Sequence, residues 1–198
     1  LESQAGVPAI DASDLVKWIK EAREGNLGAY QRIYDHYVRK VLNFIYRMVN
    51  SVEEAEDLTQ ETFAAVHQKL GSLQDPGRFE PWLFRIARNF VYQRYRSRPP
   101  AMAAVDALDE DGQPVLQVED PGKTPDEAFQ ARELKEVVMK AIASLPPKYR
   151  EVFVLSAIRH LSYQEIAEIV GRSLPSVKTD IHRARLEVRN RVKVYLQV

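Results

Sequence analysis

The sequence predicts an all-α protein of two helical domains joined by a flexible acidic linker. Three observations predict it. Apolar residues recur at spacings of three and four along most of the chain, that periodicity lapses only from Pro99 to Pro125, and no strand pattern or internal repeat competes. At 198 residues, 45% hydrophobic and 28% charged, the chain has apolar surface enough for two compact cores and too much for disorder throughout.

The first domain spans 10–98. Its opening helix carries Leu15, Trp18, Ile19 and Ala22 on one side, with Ser13 as the cap before it and Gly25 as the stop after it. A second helix runs from about Leu27 to Met48. Its broad stripe of Tyr30, Ile33, Tyr34, Tyr37, Val38, Val41, Leu42 and Ile45 makes it the central one. Ser51 with Glu54 three residues on forms a capping box for a third helix, whose Ala55, Leu58, Thr62, Phe63, Val66 and Leu70 face inward until Gly71 ends it. After a polar turn from Ser72 to Arg78, Pro81 falls in the first turn of a fourth helix, where its missing amide hydrogen costs nothing. Leu83, Ile86, Ala87, Phe90 and Val91 are its buried face.

Residues 99–125 read as a linker, since prolines and glycines are scattered there among acidic side chains. The second domain spans 126–198. Thr124, Pro125 and Glu127 cap a helix with Leu134, Val137, Val138, Ala141, Ile142 and Leu145 on one face, and Pro146 and Pro147 break it. A helix holding Tyr149, Val152 and Phe153 follows. Ser162 with Glu165 caps a short helix carrying Ile166, Ala167 and Val170, and Gly171 stops it. The last helix opens between Ser173 and Ser176 and is seamed by Val177, Ile181, Ala184, Val188 and Val192.

The formal net charge of zero hides an uneven placement of signs. Arg78, Arg85, Arg88, Arg94, Arg96 and Arg98 form one basic run, and Arg172, Lys178, Arg183, Arg185, Arg189, Arg191 and Lys193 form another. Between them lie Asp106, Asp109, Glu110, Asp111, Glu119, Asp120, Asp126 and Glu127. Two basic surfaces flanking an acidic connector suit contact with two stretches of one polyanion.

Other features narrow the class. The absence of cysteine excludes disulfides, zinc ribbons and thiolate chemistry. No apolar run approaches the length that spans a bilayer, and 1–8 lacks the pattern of a signal peptide, so a cytoplasmic protein without membrane insertion is expected. No phosphate-cradling loop, metal-spaced cluster or nucleophile constellation is present, and His36, His67, His160 and His182 are isolated. The expectation is a non-enzyme with no cofactor, no metal and no small-molecule substrate.

Three constellations point to function. Ser162 to Arg183 has the spacing of a helix-turn-helix, with the small Ala167 at the crossing, Gly171 in the turn and Val177 anchoring the second helix. That geometry directs Ser176, Lys178, Thr179, His182 and Arg183 toward duplex DNA, with Arg185 and Arg189 nearer the backbone. On the fourth helix, Trp82, Arg85, Arg88, Asn89, Tyr92, Gln93 and Arg96 lie away from the apolar stripe. Rings interleaved with cations suit single-stranded nucleic acid, because unstacked bases need aromatic platforms and the backbone needs positive charge. Glu53, Glu54, Glu56, Asp57, Gln60 and Glu61 crowd the outer side of the third helix, a face that repels nucleic acid and fits a basic protein surface.

The stretches Ser51-Val-Glu-Glu-Ala-Glu-Asp-Leu-Thr-Gln-Glu-Thr-Phe63, Pro81-Trp-Leu-Phe-Arg-Ile-Ala-Arg-Asn89, Ser144-Leu-Pro-Pro-Lys-Tyr-Arg150, Leu161-Ser-Tyr-Gln-Glu-Ile-Ala167 and Val177-Lys-Thr-Asp-Ile-His-Arg-Ala-Arg185 occur in the order found in extracytoplasmic function (ECF, group IV) sigma factors, which the chain resembles from about Asn26 to Arg189. The resemblance implies a region 2 bundle for the first domain and a region 4 helix-turn-helix for the second. It implies that Glu53, Glu56, Asp57, Gln60, Glu61 and Phe63 bind core RNA polymerase at the β′ coiled coil, with the β flap as a further polymerase contact. It further implies that Arg78, Trp82, Arg85, Arg88, Asn89, Tyr92, Gln93 and Arg96, with the loop from Ser72 to Phe79, melt and capture the minus-10 element of promoter DNA. Ser176, Lys178, Thr179, His182, Arg183 and Arg185 would read the minus-35 duplex, the linker would thread toward the polymerase active-site channel, and an anti-sigma factor would hold the protein inactive. Asp180 departs from the family, which commonly has a basic residue there, so an altered minus-35 preference is expected.

A rival reading remains open at this point. An ordinary helix-turn-helix regulator would use its first domain to sense a ligand or dimerise and would bind its duplex site unaided, whereas a sigma factor needs core polymerase and prefers an opened strand. An adaptor without DNA contact is the remaining alternative.

Overall fold

The computed structural model describes residues 11–97, 125–158 and 161–195, so the proposed linker and the Thr124 cap lie outside the described residues. Every regular element among them is helical: α1 (Ala12–Arg23), α2 (Leu27–Val49), α3 (Val52–Lys69), α4 (Phe79–Ser97), α5 (Pro125–Ala143), α6 (Pro147–Ile158), α7 (Tyr163–Val170) and α8 (Leu174–Tyr195), with 3₁₀ turns at Leu70–Ser72 and Pro76–Arg78.

Capping chemistry sets the boundaries. The first helix begins two residues before the expected Ser13 cap, because Asp11 accepts from the Ser13 amide at 3.2 Å and so satisfies an orphan donor of the first turn. Asn26 does the same for α2 by accepting from the Ala29 amide at 3.1 Å, and Asn50 ends that helix in the left-handed region at φ 57°. Ser51 accepts from the Glu54 amide at 3.3 Å to open α3. At the far end of α3, Arg23 of α1 donates to the carbonyls of Leu70, at 3.1 Å, and Leu73, closing the 3₁₀ turn. Asp75 accepts from the Gly77 amide at 2.8 Å and shapes the turn that delivers the chain into α4.

Helix α2 is the axis of the first half, with α1, α3 and α4 packed around it. Ile33, Val41, Phe44 and Ile45 are fully buried there with Leu58, Val66, Phe79, Leu83 and Phe84. Edge-to-face contacts between Phe44 and Phe84 (5.5 Å) and between Tyr34 and Phe63 (4.8 Å) fix how α4 and α3 lie on it. In the second half, α8 receives α5, α6 and α7, burying Ile142, Leu145, Val152, Leu155, Ile166, Val177, Ile181 and Ala184. Leu134, expected on the inner face of α5, is instead 44% exposed, since the core of this half starts one helical turn or more further along, at Ala141.

The two halves meet. Helix α4 lies against α7, and α2 lies against α5 and α6, so that their buried residues form one continuous cluster. Arg150 crosses the seam. Its guanidinium donates to the Met48 carbonyl at 2.7 Å, to the Leu145 carbonyl and to that of Ala143. The Met48 carbonyl also accepts from the Tyr95 hydroxyl. Carbonyls orphaned at the ends of α2 and α5 are thereby satisfied by side chains from other helices. Arg47 contributes less favourably. One of its terminal nitrogens lies 2.5 Å from the Met139 sulfur, its Nε is buried without a hydrogen-bond partner, and burial lowers its pKa.

Candidate nucleic-acid interface

Helix α4 turns one side into the core through Leu83, Phe84, Ala87 and Val91 and the other outward. On that outer side Arg85, Asn89, Gln93 and Arg96 are exposed, while Trp82, Arg88 and Tyr92 are half-buried. The Arg88 guanidinium sits 4.4 Å from the Tyr92 ring centroid, and Tyr92 meets Tyr95 edge-on at 5.8 Å. Trp82 leans on Phe79 at 5.9 Å. A cleft of about 420 Å³ opens beside it, lined by Ser72, Leu73, Gln74, Asp75, Arg78, Pro81, Trp82, Arg85 and, from α7, Glu168. A cleft with one indole wall and two guanidinium groups has the chemistry to hold a flat base and its phosphate.

The α7, turn, α8 unit is built as its spacing predicts. Ser162 and Glu165 form both halves of the capping box, with Ser162 N–H donating to the Glu165 carboxylate at 2.9 Å and Glu165 N–H donating to Ser162 Oγ at 3.2 Å. Gly171 takes φ 66°, a left-handed turn that any Cβ would strain. Val177, Ile181, Ala184 and Val188 then bury one side of α8, and this places Lys178, Thr179, His182, Arg183 and Arg185 outside, with Ser176 half-buried at the start. Thr179 donates back to the Pro175 carbonyl at 3.0 Å. Arg183 lies 3.4 Å from the Tyr149 hydroxyl, a hydrogen bond that raises its pKa further.

Asp180 does not face outward. It is 3% exposed, paired with Arg172 at 2.5 Å and with Lys148 at 3.4 Å. Its position, three residues after Val177 and four before Ala184, puts it on the buried seam, so the expected effect on minus-35 reading has no geometric basis. Arg172 leaves the outer basic run for the same reason. It also pairs at 2.6 Å with Glu151, a carboxylate only 1% exposed. The second oxygen of Glu151 holds Arg88 of α4 at 2.8 Å, and burial first, then the nearby Glu151 carboxylate, push the Tyr92 pKa up. The sequence reading missed Glu151 and Glu168. Glu151 stands one residue before Val152 and four before Leu155 on the inner side of α6, a periodicity that marks it as buried.

On α3, Glu53, Glu56, Asp57, Gln60 and Glu61 are exposed along one side. Arg94 of α4 approaches that row, 3.7 Å from Glu54 and 3.6 Å from Glu61. Phe63 is not part of this surface. It is 3% exposed and packed on Tyr34, because its spacing of four from Thr59 and three from Val66 turns it inward, beneath the face. Among the described residues no cluster of three or more His, Cys, Asp or Glu side chains is placed to hold a metal, and no helix is long and apolar enough to cross a membrane.

Known proteins share this arrangement. The family Sigma-70 region 2 matches residues 33–99, and Sigma-70, region 4 matches residues 135–188. The chain is 36% identical to the ECF RNA polymerase sigma factor SigW of Bacillus subtilis, over 89% of this chain and 96% of SigW. It is 35% identical to the ECF RNA polymerase sigma factor SigE of Mycolicibacterium smegmatis, over 82% of this chain and 61% of that protein. Among solved structures, CnrH in complex with the cytosolic domain of CnrY superposes with a TM-score of 0.65 at 25% identity, covering 93% of this chain and 99% of CnrH. The sigma factor RpoE of Bartonella quintana, solved with the anti-sigma factor NepR, gives a TM-score of 0.64 at 23% identity over 83% of this chain and 97% of RpoE, a likeness of fold. A region 2 match across the first half disfavours a ligand-sensing or dimerisation domain there. With both regions present in order and SigW aligned over nearly its whole length, the chain belongs to the ECF RNA polymerase sigma factors.

Proposed function

We propose that this alternative sigma factor, which directs transcription initiation by core RNA polymerase, divides promoter recognition between two basic faces and polymerase binding to an acidic one. The outer side of α4, with Trp82, Tyr92, Arg85, Arg88, Asn89, Gln93, Arg96 and the Arg78 cleft, captures the separated minus-10 strand. The outer side of α8, with Ser176, Lys178, Thr179, His182, Arg183 and Arg185, reads the minus-35 duplex. Glu53, Glu56, Asp57, Gln60 and Glu61 dock on the β′ coiled coil, and the second half meets the β flap. Residues 10–98 and 126–198 are the two working units and 99–125 the connector. We place the protein in group IV and in the cytoplasm, acting without catalysis of its own and held in check by an anti-sigma factor.

The single observation that carries this reading is the interleaving of rings and guanidinium groups on one side of α4, which paired DNA does not require and an unstacked strand does. Crossed variants test it. Replacing Arg85, Arg88 and Arg96 with Ala is expected to lower promoter opening about tenfold or more while leaving affinity for core polymerase nearly unchanged. Glu56→Lys with Asp57→Lys is expected to do the reverse, and equal losses in both assays would overturn the division of roles.

A further inference from the structure

We propose that Arg172 is a positioning residue for minus-35 recognition: it touches no DNA, but it sets how far α8 is turned about its own axis and hence how sharply that helix tells one base sequence from another. The proposal rests on the reading of α8 given above. Arg172 follows Gly171, and its amide donates to the Ala167 carbonyl at 3.1 Å, so its backbone closes α7. Its guanidinium reaches the other two helices of the unit. One terminal nitrogen pairs with Asp180 of α8 at 2.5 Å. The other pairs with Glu151 of α6 at 2.6 Å and lies 3.3 Å from the Lys148 carbonyl in the first turn of that helix. A single residue thereby ties α6, α7 and α8 together at the level of the groove-facing side chains, since Asp180 stands two residues after Lys178 and two before His182.

Burial of Val177, Ile181, Ala184 and Val188 holds α8 against its neighbours, but that attraction has no preferred direction. The ion pairs have one. Both carboxylates are buried, and a guanidinium spanning two anions satisfies both in a single geometry. The precision this adds is of the size that base reading needs. Side-chain tips lie about 5–6 Å from a helix axis, so a turn of about 10° moves them about 1 Å. A recognition site works within a tolerance of roughly 0.5 Å. Attraction to phosphates is less demanding, since Lys178, Arg183 and Arg185 supply charge rather than a base-edge pattern. Loosening the Arg172 bridge therefore costs discrimination before it costs overall affinity. Lys148 is no substitute, because its ammonium lies 3.4 Å from Asp180 on a side chain that is itself exposed.

The test uses the holoenzyme formed by the whole chain and core polymerase, bound to duplexes randomised across the minus-35 element and ending upstream of the minus-10 element. Sequencing the bound fraction gives the preferred sequence and the ratio of its affinity to the library mean. Arg172→Lys keeps the charge but cannot span both carboxylates, and Asp180→Asn keeps the shape but not the charge. Each is expected to lower the ratio about fivefold, with the preferred sequence and the library mean unchanged and the α8 amides still protected from hydrogen exchange. The two together are expected to lower it no further, because they break one pair, whereas independent roles would multiply to about twenty-five-fold. That larger loss, an unaltered ratio, or a loss of α8 protection along with the ratio, which marks a merely structural role, overturns the proposal. So does a changed preferred sequence, which would mean that Asp180 reads a base itself. A wild-type holoenzyme with no minus-35 preference would instead remove the reading of α8, and the proposal with it.

Discussion

The Tyr30 hydroxyl gives up solvent to donate to the Phe63 carbonyl at 2.6 Å, and its ring meets His67 edge-on at 4.9 Å, so one side chain ties α2 to α3 beneath the acidic face. Burial, with Tyr34 as a lesser influence, raises its pKa from 10.0 to about 12. A raised value means that the unfolded chain loses this proton first as pH climbs. The stability contributed by Tyr30 is therefore whole below pH 10 and is lost as pH rises through about 12. Tyr30→Phe is expected to cost about 1 kcal/mol at pH 8, with the gap to wild type closing between pH 10 and 12, as read from urea midpoints of the two proteins side by side. At this scale the sequence is legible wherever periodicity assigns a side chain to a face. The same rule that puts Lys178 and His182 outside puts Asp180 and Glu151 inside, and only the habit of treating charge as external hides it. What periodicity cannot provide is the partner. That Arg172 bridges Glu151 and Asp180, and that Arg88 takes the other Glu151 oxygen, depends on helices far apart in the chain.

Among the helices, α7 shows how completely a short element is specified by its ends. Eight residues are too few to be helical alone, yet a reciprocal capping box at Ser162 and Glu165, a left-handed Gly171 and the buried Ile166, Ile169 and Val170 fix its start, stop and packing side. Ser162→Ala removes the acceptor for the Glu165 amide and is expected to destabilise the protein by about 1 kcal/mol and to weaken minus-35 duplex binding, because α8 is aimed by the turn that follows α7. An unchanged unfolding midpoint would show that the cap is dispensable. These signals were readable because capping and turn chemistry are local. The start of α1 lies two residues before Ser13 because Asp11 and Ser13 are both good caps and it is Asp11 that accepts from the first-turn amide. Leu134 stays exposed despite its place in the apolar stripe because that stripe along α5 outruns the surface that the other helices offer it.

Over the whole molecule, a net charge of zero is distributed as two basic faces and one acidic face, a distribution visible in the sequence, and the proposed division between polymerase docking and DNA contact rests on it. The seam between the halves was not visible there. It is made of a few long-range pairs, Arg78–Glu168, Arg88–Glu151 and Arg150 to the Met48 carbonyl, whose partners lie far apart in the chain and cannot be matched by reading one helix at a time. The account stands on the α4 face holding an opened strand, and permanganate reactivity of unpaired minus-10 thymines in the polymerase holoenzyme measures that directly. With wild-type chain those thymines are expected to become reactive at a defined promoter, and with Trp82→Ala and Arg85→Ala together the reactivity is expected to fall about tenfold at equal polymerase occupancy. Undiminished thymine reactivity in that double variant would contradict the account.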